Sequence, residues 1–199
     1  MTPKQAAPPE PPDRTALDVD AALARSVLFR ALTLGFTRPT DESLASLTSR
    51  EAHTALLGAA GLLDRGRRTA DPVSPAVRAL TEIPAGTTAE RRAAFARLFG
   101  HAHAPVPPFE TEYGSANAFG QPQRLADIAG CYAAFGLRPA ARLDERVDHV
   151  ACQCEFLDFL SRKEAFVMAS VPAGASGEEA REQLELVRDA ERAFLRDHL

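Results

Sequence analysis

The chain has 199 residues, a net charge of −4 and a pI near 5.8, with 45% hydrophobic and 25% charged residues. That length fits one domain able to bury roughly 70% of its extended surface without a disulfide or metal staple, and the hydrophobic share excludes general disorder. The acidic balance argues against a nucleic-acid binder, which needs a clustered positive face, and suits a basic partner better. Cys131, Cys152 and Cys154 are too few and too late in the chain for a secreted disulfide framework. No apolar run approaches the roughly 20 residues of a membrane span, and no apolar core follows the N-terminal Lys4, so no secretory signal is read there and the expected location is the cytoplasm.

Residues 1–14 are rich in proline and poor in large apolar side chains, which predicts a disordered tail ahead of one helical domain over 15–199. The punctuation beyond it is helical, and strand content is expected near zero. The first helix is predicted from about Leu17 to Phe36, with Leu23, Val27, Ala31 and Leu34 as its stripe and Leu28 and Leu32 widening it. Pro39 stops it. Thr40 or Asp41 then caps a short helix carrying Leu44 and Leu47. Residues 51–63 read as an apolar helix, and a short one is expected around Val77 and Leu80. Thr87 and Glu90 make a capping-box pattern that opens a helix with Phe95, Leu98 and Phe99 on one face, ending at Gly100. A Pro- and His-rich loop, His101 to Pro108, follows. Helices are predicted from Gln123 to Phe135, from Glu145 to about Phe166, and from Glu178 to Leu199, with a Gly/Pro/Ser break over Val171 to Gly177 as a possible hinge. The Glu145–Phe166 helix is apolar around so much of its circumference that it belongs at the centre of a bundle. The fold class is all-α.

Phosphate-loop, dinucleotide and zinc-protease motifs are absent, so the best local candidates for chemistry are two short spacings and one adjacent pair. His101 and His103 stand two apart on a loop, a weak metal-ligand spacing. Cys152 and Cys154 point about 200° apart on a helix and read as small buried hydrophobes. Asp148-His149 falls in the first turn of the long helix. Read as structure, it caps free amides and complements the macrodipole; read as function, it accepts hydrogen bonds from a cationic ligand. A catalytic pair would need a nucleophile or oxyanion donor that the sequence does not supply. The loop Pro107-Pro108-Phe109-Glu110-Thr111-Glu112-Tyr113 mixes stiffening prolines, aromatics and carboxylates. That mix suits either gripping a peptide with apolar and basic residues or an ordinary anchored connection.

Four blocks resemble the TorD/DmsD/NarJ family of molybdoenzyme maturation chaperones: LFRALTLGFTRPTDESL (28–44), FARLFGHAHAPVPPFETEY (95–113), ADIAGCYAAFGL (126–137) and DERVDHVACQCEFLDFL (144–160), with a weaker match in AFLRDHL (193–199). The resemblance implies an all-helical, non-enzymatic chaperone with no cofactor of its own. Such a chaperone binds the apo catalytic subunit of a molybdenum oxidoreductase, often through its twin-arginine leader, and holds back export until the cofactor is inserted. Carried over by position, Leu98, Phe99, Pro108, Phe109, Glu110, Asp148 and His149 match the partner-binding groove, while Tyr113, Asp127 and Glu155 match positions of structural character. Two departures stand out. The chain has no tryptophan, which makes Phe109 the candidate substitute for a groove indole, and it stops where relatives continue into further helix. The family pattern leaves monomer and domain-swapped dimer both open. The competing readings are a metal-dependent or nucleotide hydrolase using His101, His103, Asp148 and His149, and a permanent helical subunit of a redox complex.

Overall fold

The computed structural model describes residues 14–66, 72–84, 86–100, 105–113, 120–138, 146–170 and 177–199. The predicted tail up to Asp13, the His101/His103 pair and most of the 171–177 hinge lie outside the described residues, and Arg14, the last residue assigned to the tail, already belongs to the first helix. Among the described residues the architecture is all-α: α1 (Arg14–Phe36), α2 (Asp41–Thr48), α3 (Arg50–Gly66), α4 (Ser74–Thr81), α5 (Thr88–Phe99), α6 (Gln121–Ala134), α7 (Val150–Ser170) and α8 (Glu178–His198), with one 3-10 turn at Glu110–Glu112. None of these helices is long and apolar enough to cross a membrane.

Local chemistry sets the helix ends. Thr40 caps α2 through a reciprocal bond with Ser43, and Thr87 caps α5 with Glu90 in the same manner, satisfying amides that have no partner inside the helix. The exposed Glu90 carboxyl is held below its usual range, first by the Thr87 backbone N–H and then by the Thr87 hydroxyl. Gly100 is the C-cap of α5 at a place with no room for a side chain, since a Cβ there would stand 2.6 Å from the carbonyl oxygen of Ala96. Gly136, at φ +72°, closes α6 in the left-handed region that glycine adopts at no steric cost.

The helix α7 runs through the centre, with α1 along one side and α8 along another; α3 packs on α1 and α4 on α3. The main core joins α6, α7 and α8 through Ile128, Tyr132, Phe156, Leu157, Leu160, Val187 and Phe194. Phe156 meets the rings of Tyr132 and Phe194, each at 4.9 Å. A smaller cluster of Ala22, Ala165 and Met168 seats α1 on α7.

Two expectations are corrected here. The leucine stripe predicted for α1 is only partly its core face: Leu23 and Leu32 are exposed and Val27, Leu28, Ala31 and Leu34 half-buried, while Ala22, Ala24 and Ser26 are buried. Small residues let α1 approach α7 closely, and polar pairing fixes the contact. Ser26 donates to Asp158, and Arg25 reaches both Glu164 of α7 and Glu191 of α8. Arg188 of α8 completes the network on Glu164. These carboxylates are desolvated, so each must keep its guanidinium partner. The other correction is the start of the central helix, which begins at Val150 rather than Glu145. Asp148-His149 precedes the helix instead of forming its first turn.

Candidate partner-binding groove

The loop 105–113 is stapled to the segment 146–150 by the one backbone bridge of β type among the described residues, an antiparallel pairing of Phe109 with His149. Glu110 N–H donates to the Asp148 carbonyl at 3.0 Å, and Val150 N–H donates to the Pro108 carbonyl at 2.8 Å. His149 is the cap of α7: its carbonyl accepts from Gln153 N–H, and its Nδ1 accepts from Ala151 N–H at 3.1 Å. The neighbouring carboxylate caps something else. Asp148 is fully buried and accepts the N–H and hydroxyl of Thr111 at 3.1 and 2.7 Å, as well as two bonds from the Arg146 fork at 3.0 and 2.8 Å. Gln121 of α6 also donates to the Thr111 hydroxyl oxygen, and the loop closes on itself where Tyr113 O–H donates to Pro107 O at 2.7 Å.

Behind this staple stands Tyr132 of α6, whose O–H donates to Val147 O at 2.8 Å. Burial, with smaller contributions from the neighbouring Cys152 and Cys131, raises its phenol above the ordinary range. The same desolvation pushes the Cys154 thiol up to about 11. Cys154 is buried, in agreement with its reading as a small hydrophobe, while Cys131 and Cys152 are half-buried; no disulfide joins the three.

In front of the staple lies an open groove of about 470 Å³ between the C-terminal ends of α1, α5 and α8, the start of α7 and the 105–113 loop. Three phenylalanines, Phe36, Phe99 and Phe109, line it with Val106 and Tyr113. Phe36 and Phe99 meet edge to face at 6.0 Å, and the Phe109 ring is wedged between the His149 ring at 5.3 Å and the Arg146 guanidinium at 4.4 Å. Glu110 is the carboxylate of the wall. Gln153 donates to its Oε2, and His198 Nδ1 lies 3.2 Å from its Oε1. The rim carries charges of both signs, Arg124, Arg196 and Asp197.

Of the residues singled out from the sequence, Phe99, Pro108, Phe109 and Glu110 converge on this groove. Leu98 is on α5 beside Phe99, 44% exposed and outside the lining. Asp148 and His149 are buried behind the loop, so the Asp148 carboxylate is engaged with the protein's own Arg146 and Thr111.

The family model described as nitrate reductase delta subunit matches residues 68–199, more than half of the chain. The chain belongs to the nitrate reductase delta subunit family. This is the NarJ/TorD-type family of redox-enzyme maturation chaperones, and not a catalytic family. No curated protein matches the chain. Among solved structures it is similar to a crystal structure described as a redox enzyme maturation protein from Archaeoglobus fulgidus. The two share 16% sequence identity with a TM-score of 0.45, covering 86% of this chain and 94% of that one.

In this delta-subunit family member, sequence reasoning missed Phe36, Arg146, Gln153 and His198. Phe36 is the last residue of α1 and reads as an ordinary helix end. Gln153 is one residue from the cysteines and buried. Arg146 left a faint signal, standing two residues before Asp148, the spacing at which extended neighbours share a face. Among the described residues no group of three or more His, Cys, Asp or Glu side chains is placed to hold a metal ion.

Proposed function

We propose that this protein is a cytoplasmic, non-enzymatic chaperone for the apo catalytic subunit of a molybdenum oxidoreductase. It recognises that subunit's twin-arginine leader, its body or both, assists cofactor insertion and delays export. The observation that carries this reading is the groove floored by Phe36, Phe99 and Phe109 with the Glu110 carboxylate in its wall. A leader joins arginines to an apolar segment, and the groove offers a partner for each: rings for the segment and a carboxylate for a guanidinium. Membership of a maturation-chaperone family supports the same reading. Pro108, Phe109, Glu110 and Phe99 are assigned to direct contact, Leu98 to the flank of the contact surface, and Asp148 and His149 to holding the loop. The working unit is a monomer or a domain-swapped dimer.

Calorimetric titration with a synthetic twin-arginine leader peptide, and with the same peptide carrying alanine at both arginines, tests this assignment. The expected result is saturable binding of the first, weakened in the second and weakened again in Phe109→Ala. Equal binding of both peptides, or none of either, would overturn leader recognition and leave recognition of the catalytic subunit's body.

A further inference from the structure

We infer that Arg146 is the positioning residue of the groove, a guanidinium that sets where Phe109 and Glu110 stand without itself contacting the bound segment. The inference rests on the groove reading above. The 105–113 loop meets the 146–150 segment through one isolated bridge, and pairing that short is marginal in water without side-chain support. Arg146 supplies it at four residues. Nε and Nη2 grip Asp148, Nη2 also donates to the Thr111 hydroxyl, Nη1 reaches Glu112 at 3.3 Å, and the guanidinium plane covers Phe109.

The Thr111 hydroxyl closes the network. It donates to Asp148 while accepting from Arg146 and Gln121, which uses its one donor and both lone pairs. Arg146 and His149 between them fix the ring of Phe109. Any influence of Asp148 on partner binding therefore runs through Arg146 and the loop. Only a planar, forked cation makes all these contacts; a lysine keeps the charge beside Asp148 and loses the fork and the stack.

Arg146→Lys is the discriminating variant, because it leaves the buried carboxylate a cation and so spares the fold. Arg146→Met combined with Asp148→Asn is the second, since it removes both charges and orphans neither. For each, amide exchange at Glu110 and Val150, the two donors across the bridge, is read beside the urea unfolding midpoint and the affinity for the synthetic twin-arginine peptide. In Arg146→Lys the two amides are expected to exchange about tenfold faster and peptide affinity to fall about fivefold, with the midpoint unchanged. The double variant is expected to show the same pattern. Unchanged exchange at the two amides overturns the inference, as does faster exchange with peptide affinity intact. If the wild-type chain binds no peptide, leader recognition fails on its own, and the exchange result still decides whether Arg146 holds the loop.

Discussion

His198, the last residue of α8, places its Nδ1 3.2 Å from Oε1 of Glu110, so the groove's wall carboxylate already has a resident partner from the far end of the chain. The same imidazole lies against the Phe194 ring at 4.8 Å, which ties the end of α8 to the main core. A guanidinium entering the groove competes with His198 for that oxygen, while Gln153 keeps the other one fixed. Glu110→Gln is therefore expected to weaken the twin-arginine peptide about tenfold, the value of one charge-assisted pair. His198→Ala, which removes the competitor, is expected to strengthen it. Titration against the arginine and alanine peptides checks both. An equal loss for the two peptides in Glu110→Gln would show that the carboxylate does not meet an arginine.

The second prediction concerns stability away from the groove. Glu164 is buried on α7 between Arg25 of α1 and Arg188 of α8. Removing its charge leaves Arg188 without a carboxylate and Arg25 with Glu191 alone, at the junction of three helices. Glu164→Ala should cost about 3 kcal/mol, measured by urea unfolding, which does not screen charge. Arg188→Ala should cost no less, because it leaves the two buried carboxylates, Glu164 and Glu191, to share Arg25 alone. Equal and small losses in both would mean that the helices are held by apolar packing alone.

The sequence pattern carried the helices well and the site in part, for physical reasons visible in particular residues. Capping at Thr40 and Thr87 and termination at Gly100 depend on neighbours within four positions, so they were legible. The face of α1 was not, because periodicity counts leucines, whereas the real contact uses Ala22, Ser26 and Arg25 against acids more than a hundred residues away. Asp148-His149 was legible as important and misplaced in role. A capping pattern cannot tell which amides a carboxylate will meet, and Asp148 meets those of a loop 37 residues earlier.

The third prediction is an alkaline one. Burial raises the Cys154 thiol from its ordinary 9.0 to about 11 and moves the Tyr132 phenol upward as well. Both groups bind protons more tightly in the folded chain than in the unfolded one, so their contribution is complete below pH 9. It is lost as the pH rises from there, for Cys154 over the window from 9.0 to about 11. The unfolding free energy should fall by up to about 2 kcal/mol from the thiol alone, read as urea unfolding at pH 8 and at pH 10.5. Cys154→Ala should flatten that slope while leaving the part due to Tyr132. An identical slope in the variant would place the ionising groups elsewhere.

The last prediction separates leader from body recognition along one helix. Phe99 faces the groove against Phe36, whereas Leu98, one position before it on α5, is exposed outside the lining. No described residue of α5 is buried, so truncating either side chain should cost the fold little, below about 1.5 kcal/mol, and affinity changes can be read without a folding correction. Phe99→Ala removes apolar floor and should weaken the leader peptide about tenfold with a less negative heat-capacity change. Leu98→Ala should leave the peptide unaffected. If Leu98 contacts the folded catalytic subunit beyond its leader, Leu98→Ala should weaken capture of the intact apo subunit while peptide binding stays constant. Loss of peptide binding in Leu98→Ala would extend the groove across α5 and remove the distinction between the two surfaces.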